Sequence, residues 1–189
     1  MKRLFVAYKI IPDQGFLSGF RKLKSSMRMH QIKWVEENNI HITLKFLGET
    51  DEQKIPLIED ILRRRASQQS GFTIRLSGVG VFGSRHDPRV IWTGIEPYEA
   101  LSGLMREMRE DFIPAGYPAD RQNIVPHLTL GRIRQLNDRI LFQQSLDQCR
   151  HLVSEPIKLE KIILFESILR KEGPLYKALK EYPAVYPLP

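Results

Sequence analysis

The stretches His41-Ile42-Thr43-Leu44 and His127-Leu128-Thr129-Leu130 carry one pattern: histidine, an apolar residue, threonine, leucine. Each sits in a run that reads as a β-strand, bounded by turn-forming residues. A strand sends alternate side chains to opposite faces. His41 and Thr43 therefore share one face, with Ile42 and Leu44 on the other, and the second copy divides in the same way. The apolar pair can bury while an imidazole and a hydroxyl stand together on a cleft or solvent face. Of five histidines in the chain, two carry threonine at +2 and leucine at +3. At background frequencies of roughly 5–10% per residue, the chance of that coincidence is on the order of one in a few thousand.

Around the two motifs the chain alternates strands and helices irregularly. Arg3–Ile10 reads as a first strand, and a helix to about Met27 carries Phe16, Leu17, Phe20 and Leu23 at helical spacing. The first motif strand, from His41 to Phe46, ends at Leu47-Gly48-Glu49. A helix from about Glu52 to Ser67 follows, with the stripe Ile55, Ile58, Ile61 and Leu62. Arg63, Arg64 and Arg65 close it, where cations suit the negative end of the helix dipole and need no nucleic acid to explain them. Phe72–Leu76 and Val90–Ile95 read as antiparallel neighbours, with Gly78, Gly80 and Gly83 breaking the segment between them. A helix over Tyr98–Phe112 stops before Pro114, Gly116 and Pro118. The second motif strand spans about Val125–Ile133, followed by a helix over Asp138–Leu152, a strand over Ile157–Phe165 and a short strand near Leu175–Leu179. This order lacks the regular alternation of a doubly wound parallel sheet, so the expected class is α+β with antiparallel sheets. The two motifs, each trailed by a helix, point to two related lobes facing a cleft within a single domain spanning residues 1–189.

Composition narrows the partners. The chain has 42% hydrophobic and 27% charged residues, a globular rather than a disordered balance. Its 29 basic and 22 acidic residues give a net charge of +7, which favours an anionic partner such as RNA, DNA or a phosphorylated small molecule. One cysteine, Cys149, excludes an internal disulfide and any multi-cysteine zinc site, and fits a reducing cytoplasm. The N-terminal apolar stretch is too short for a signal peptide, and no stretch reaches the length of a membrane span. The expectation is a cytoplasmic, monomeric protein without a membrane partner. His30, His86 and His151 read as ordinary surface residues.

If the motif strands face each other, two imidazoles and two threonine hydroxyls converge. One ring can accept a proton while the other donates one, and the hydroxyls can donate to the oxygens of a bound anion. That set suits phosphodiester cleavage. No acidic residue or third histidine stands at ligand spacing from either pair, so neither a metal nor another cofactor is expected.

At these residues the sequence resembles the 2H phosphoesterase superfamily. More closely it resembles the bacterial and archaeal RNA 2′,3′-cyclic phosphodiesterases, the LigT-like or 2′-5′ RNA ligase family. HITLKFLGE (His41–Glu49) and PHLTLGR (Pro126–Arg132) carry the resemblance, with RLFVA, IWTGI (Ile91–Ile95) and FESILRKEGPLY (Phe165–Tyr176) in support. The resemblance implies a bilobal fold of two antiparallel sheets with flanking helices around a central groove. It implies metal-independent hydrolysis of RNA 2′,3′-cyclic phosphate ends to 2′-phosphomonoesters, with weak reversible 2′-5′ ligation, as of tRNA halves. By position His41 would be the general acid and His127 the general base, although the near-identical motifs leave that assignment open. Thr43 and Thr129 would hold the phosphate, Arg132 would contact it, and Phe46 would stack on the terminal base. Gly131 stands where the family more commonly has alanine. Strict alternation turns Phe46 and Arg132 away from their histidines, so each reaches the groove only if its strand twists, bulges or ends. Phe46 otherwise packs in the core. Two other readings compete: a 2H esterase for small cyclic nucleotides or 2′-5′ linkages, and a non-catalytic RNA-binding module.

Overall fold

A computed structural model describes residues 1–84, 86–118, 124–170 and 173–185. Its strands are β1 (Lys2–Lys9), β2 (Gln31–Trp34), β3 (His41–Thr50), β4 (Phe72–Ser84), β5 (Asp87–Glu96), β6 (Leu128–Gln135), β7 (Ile157–Leu159), β8 (Lys161–Leu169) and β9 (Pro174–Pro183). Its α-helices are α1 (Gln14–Ser26), α2 (Ile55–Ser67), α3 (Glu99–Phe112) and α4 (Arg139–Gln148). Two antiparallel sheets result. Sheet one has four strands in the order β3-β1-β8-β9, and sheet two has five in the order β2-β6-β5-β4-β7. The expected α+β class, with antiparallel sheets and flanking helices, is the architecture observed.

The helices bury the stripes the sequence marks. α1 buries Phe16, Leu17, Phe20 and Leu23, and the Asp13 carboxylate caps it by accepting from the Phe16 N–H at 3.0 Å. α2 buries Ile58, Ile61, Leu62 and Ala66, with Ile55 only half-buried. Its terminal arginines serve the fold: Arg65 forms ion pairs with Glu107 and Asp111 of α3, and Arg63 pairs with Asp60. One large apolar cluster takes Leu4, Val6, Ile42 and Leu44 from sheet one, and Ile91, Leu128 and Leu130 from sheet two. The apolar faces of the two motif strands are thus anchored in the same core.

Several boundaries differ from the sequence reading. β4 runs on to Ser84 because its glycines bend the strand rather than end it. Gly78, at φ +70°, sits at a register shift between Ser77 and Val79, a backbone state that favours glycine. The expected strand Ile157–Phe165 is two strands, β7 pairing with β4 in sheet two and β8 with β1 in sheet one. β2, too short to stand out in the sequence, forms the edge of sheet two beside β6. His30 is not a surface residue but 8% exposed: its Nδ1 accepts from the Asn137 N–H at 3.3 Å, and its ring stands edge-on to Phe142. His86 and His151 are exposed as expected. Among the described residues no helix is long and apolar enough to cross a membrane.

Candidate active site

β-pairing shows how the motif strands present their side chains. On β3, Thr43 lies opposite Ala7 while Lys45 lies opposite Val6, so Leu44 is an extra residue, a β-bulge. On β6, Thr129 lies opposite Trp92 while Gly131 lies opposite Ile91, so Leu130 is the matching extra residue. Each bulge falls on the leucine of the motif and resets the alternation by one. Phe46 thereby returns to the face of His41 and Thr43, and Arg132 to the face of Thr129. Phe46 is 59% exposed, which rules out the core-packing reading, whereas its neighbour Lys45 is 3% exposed and donates from Nζ to the Pro118 carbonyl at 3.1 Å.

Both histidines are held alike. His41 Nδ1 lies 2.6 Å from the Asn39 carbonyl oxygen, and His127 Nδ1 lies 2.7 Å from that of Val125. A carbonyl oxygen can only accept, so each Nδ1 carries the proton and each Nε2 is left for chemistry. Neither Thr43 nor Thr129 uses its hydroxyl in a hydrogen bond with another described residue.

The electrostatics tie the two lobes together. Burial holds both imidazoles below their ordinary pKa; the carbonyl bond of each works the other way, and the Arg132 guanidinium adds to the lowering. His41 also feels the charge of His127 across the groove. Burial raises the Tyr176 phenol, against the opposing pull of Arg132 and Arg3. Arg132 therefore acts on both histidines and on a tyrosine of the opposite sheet. Among the described residues no three His, Cys, Asp or Glu side chains form a group able to hold a metal ion.

Aromatic rings enclose each imidazole. Phe5 and Tyr176 lie 5.2 and 5.1 Å from the His41 ring, centre to centre. Phe82 stands edge-on to His127 at 4.7 Å and stacks on Trp92. A Cβ on Gly80 would come within 2.6 Å of the Trp92 ring, so that glycine makes room for the indole. The sequence reading assigns no role to these four aromatics. RLFVA, IWTGI and the GPLY of the tail contain three of them, and position on the groove-facing side of a strand is the signal available.

The sequence model of the LigT-like phosphoesterase family matches residues 11–92 and 95–176, each stretch holding one motif. The chain is similar to the RNA 2′,3′-cyclic phosphodiesterase of Archaeoglobus fulgidus, 33% identical over 184 residues, covering 95% of this chain and 99% of that protein. Its similarity to the enzyme of that name from Methanocaldococcus jannaschii is 31% over 180 residues, covering 95% and 99%. Two groove-facing histidines between antiparallel sheets define the class, the 2H phosphoesterases. The chain belongs to the LigT-like phosphoesterase family. Its fold is shared with the crystal structure of a Thermus thermophilus protein (TM-score 0.77, 24% identity, covering 96% of this chain and 97% of that one). It is also shared with Escherichia coli LigT complexed with 3′-AMP (TM-score 0.71, 21% identity, covering 97% and 98%).

Proposed function

We propose that the protein hydrolyses 2′,3′-cyclic phosphate ends of RNA to 2′-phosphomonoesters without a metal. The observation that carries this reading is the pair of groove-facing imidazoles, each anchored through Nδ1 with Nε2 available. A cyclic phosphodiester opens when water attacks phosphorus in line with the departing oxygen, which needs a base on one side and an acid on the other. His127 Nε2 takes the proton of the attacking water as its oxygen bonds to phosphorus. The P–O3′ bond breaks, and His41 Nε2 gives its proton to the 3′ oxygen. The next turnover begins once the two rings return their protons through solvent. Thr43, Thr129 and Arg132 stabilise the charge that gathers on the other phosphate oxygens, and Phe46 stacks on the terminal base. With a 5′-hydroxyl in place of water as the nucleophile, the same exchange joins that oxygen to phosphorus as the P–O3′ bond breaks, a weak 2′-5′ ligation that the reverse step undoes. The names of the relatives and the net positive charge support RNA as the substrate class.

His41→Ala and His127→Ala should each lower hydrolysis of a cyclic-phosphate-ended oligoribonucleotide by about 10²–10⁴-fold in the presence of EDTA. Full activity in either variant, or dependence of the wild type on added metal, contradicts the proposal. A 3′-phosphate product would reverse the assigned direction of opening.

A further inference from the structure

The groove has a cation that the phosphate chemistry above does not use. Lys33 is the direct cross-strand partner of Arg132, Lys33 on β2 and Arg132 on β6. Directly opposed residues on antiparallel strands project from the same face of the sheet. Trp34 packs its ring edge-on against Phe20 of α1 in the core, so Lys33, one residue away, points to the groove side. Both cations are exposed, and neither forms an ion pair with a described residue. Like charges directly opposite each other destabilise a sheet. Such a like-charged pair, adjoining the proposed phosphate site, is relieved by a second anion.

The opposite sheet approaches Lys33 near Gly173. The first residue of β9 in sheet one stands beside it, where the Asn39 amide donates to the Pro174 carbonyl at 3.1 Å. Lys33 Nζ comes within 4.0 Å of the place where a side chain at Gly173 would begin. Sheet one brings Thr43, Phe5, Phe46 and Tyr176 to the groove, while sheet two brings Lys33, Arg132 and Thr129 beside the aromatics Phe82 and Trp92.

We propose that Lys33 forms a second phosphate subsite, which holds the phosphate on the 5′ side of the terminal nucleoside while Arg132 and the threonines hold the cyclic one. The inference rests on the RNA-end reading above and deepens it. The site grips an oligonucleotide end, and a nucleoside cyclic phosphate, which lacks the second phosphate, is the poorer substrate.

The test compares kcat/KM on a short oligoribonucleotide ending in a 2′,3′-cyclic phosphate with that on the nucleoside 2′,3′-cyclic phosphate of the same base. The wild type should prefer the oligonucleotide, and Lys33→Ala should cut that preference roughly fivefold, mainly through KM. The salt dependence of log(1/KM) on the oligonucleotide should become shallower by about 0.7, one phosphate contact on a single strand. Lys33→Arg should restore the preference. An unchanged preference in Lys33→Ala, or equal losses on both substrates, overturns the inference alone. A wild type inert on both substrates overturns the phosphodiesterase reading and this inference with it.

Discussion

Arg132 shows how one side chain sets the working state of two others. Its charge disfavours protonation of His41 and His127, in addition to the effect of their burial. An ordinary histidine titrates near pH 6.5, so in the free enzyme both rings shed their protons below that value. The proposed hydrolysis needs one neutral ring and one protonated ring. The kcat/KM profile, which reports the free enzyme, should therefore peak below about pH 6.5. Arg132→Met removes the cation and lets both imidazoles hold their protons to higher pH, so both limbs of the profile should move upward. Loss of a donor to the phosphate should also lower kcat/KM by about 10²-fold. Rate profiles, with NMR titration of the histidine Cε1–H signals, provide the measurement. A profile that stays put or moves to lower pH would show that Arg132 does not act on the histidines. The same depression links to stability. Between about pH 6.5 and the lowered values, the unfolded chain binds more protons than the native one, so acidification through that window destabilises the fold.

At the scale of the strand, the bulges at Leu44 and Leu130 decide whether the site exists. Without them Phe46 and Arg132 would turn into the core, and the buried Lys45 would face the groove. The sequence does not reveal them, because each leucine reads as an ordinary core-facing residue. A bulge is defined by two residues opposing one on the partner strand, and the partners Val6–Ala7 and Ile91–Trp92 lie far away in the chain. The α1 stripe, by contrast, is legible to the residue, since helical periodicity is local. His30 escapes a sequence reading for the same reason as the bulges: its partners Asn137 and Phe142 are distant in sequence. The second bulge also explains why glycine follows Leu130. A Cβ at Gly131 would lie 2.9 Å from Ile32 Cγ2 and from Trp34 Cε3, so β2 packs directly on this position. Gly131→Ala, though matching the more common family residue, should destabilise the protein by about 1–2 kcal/mol through overpacking, measured as a lower midpoint in chemical denaturation. Unchanged stability would show that β2 shifts away at no cost.

Across the whole molecule, the two lobes resemble a duplication in their motifs but not in their chain path. The strands of sheet one come from both ends of the chain and from β3, while sheet two takes β2 and the run from β4 to β7. Any cut of the chain into an N-terminal and a C-terminal half therefore divides both sheets. The larger apolar cluster reinforces this, with Leu4, Val6 and Ile42 in the same contact network as Ile91, Leu128 and Leu130. Burial of that cluster is the main favourable contribution to folding, and neither sheet retains it alone. We infer that the chain is one domain and that its lobes unfold together. The two tryptophans, Trp34 and Trp92, both lie in sheet two, so their fluorescence follows that sheet, while far-UV circular dichroism follows both. The thermal midpoints from the two probes should coincide, and the calorimetric and van't Hoff enthalpies should agree. A separate fluorescence transition would make the lobes independent units. The histidines would then lose their relative placement before the fold as a whole is lost, and hydrolysis should decline at the lower midpoint. With one domain, activity and both spectroscopic signals should disappear together.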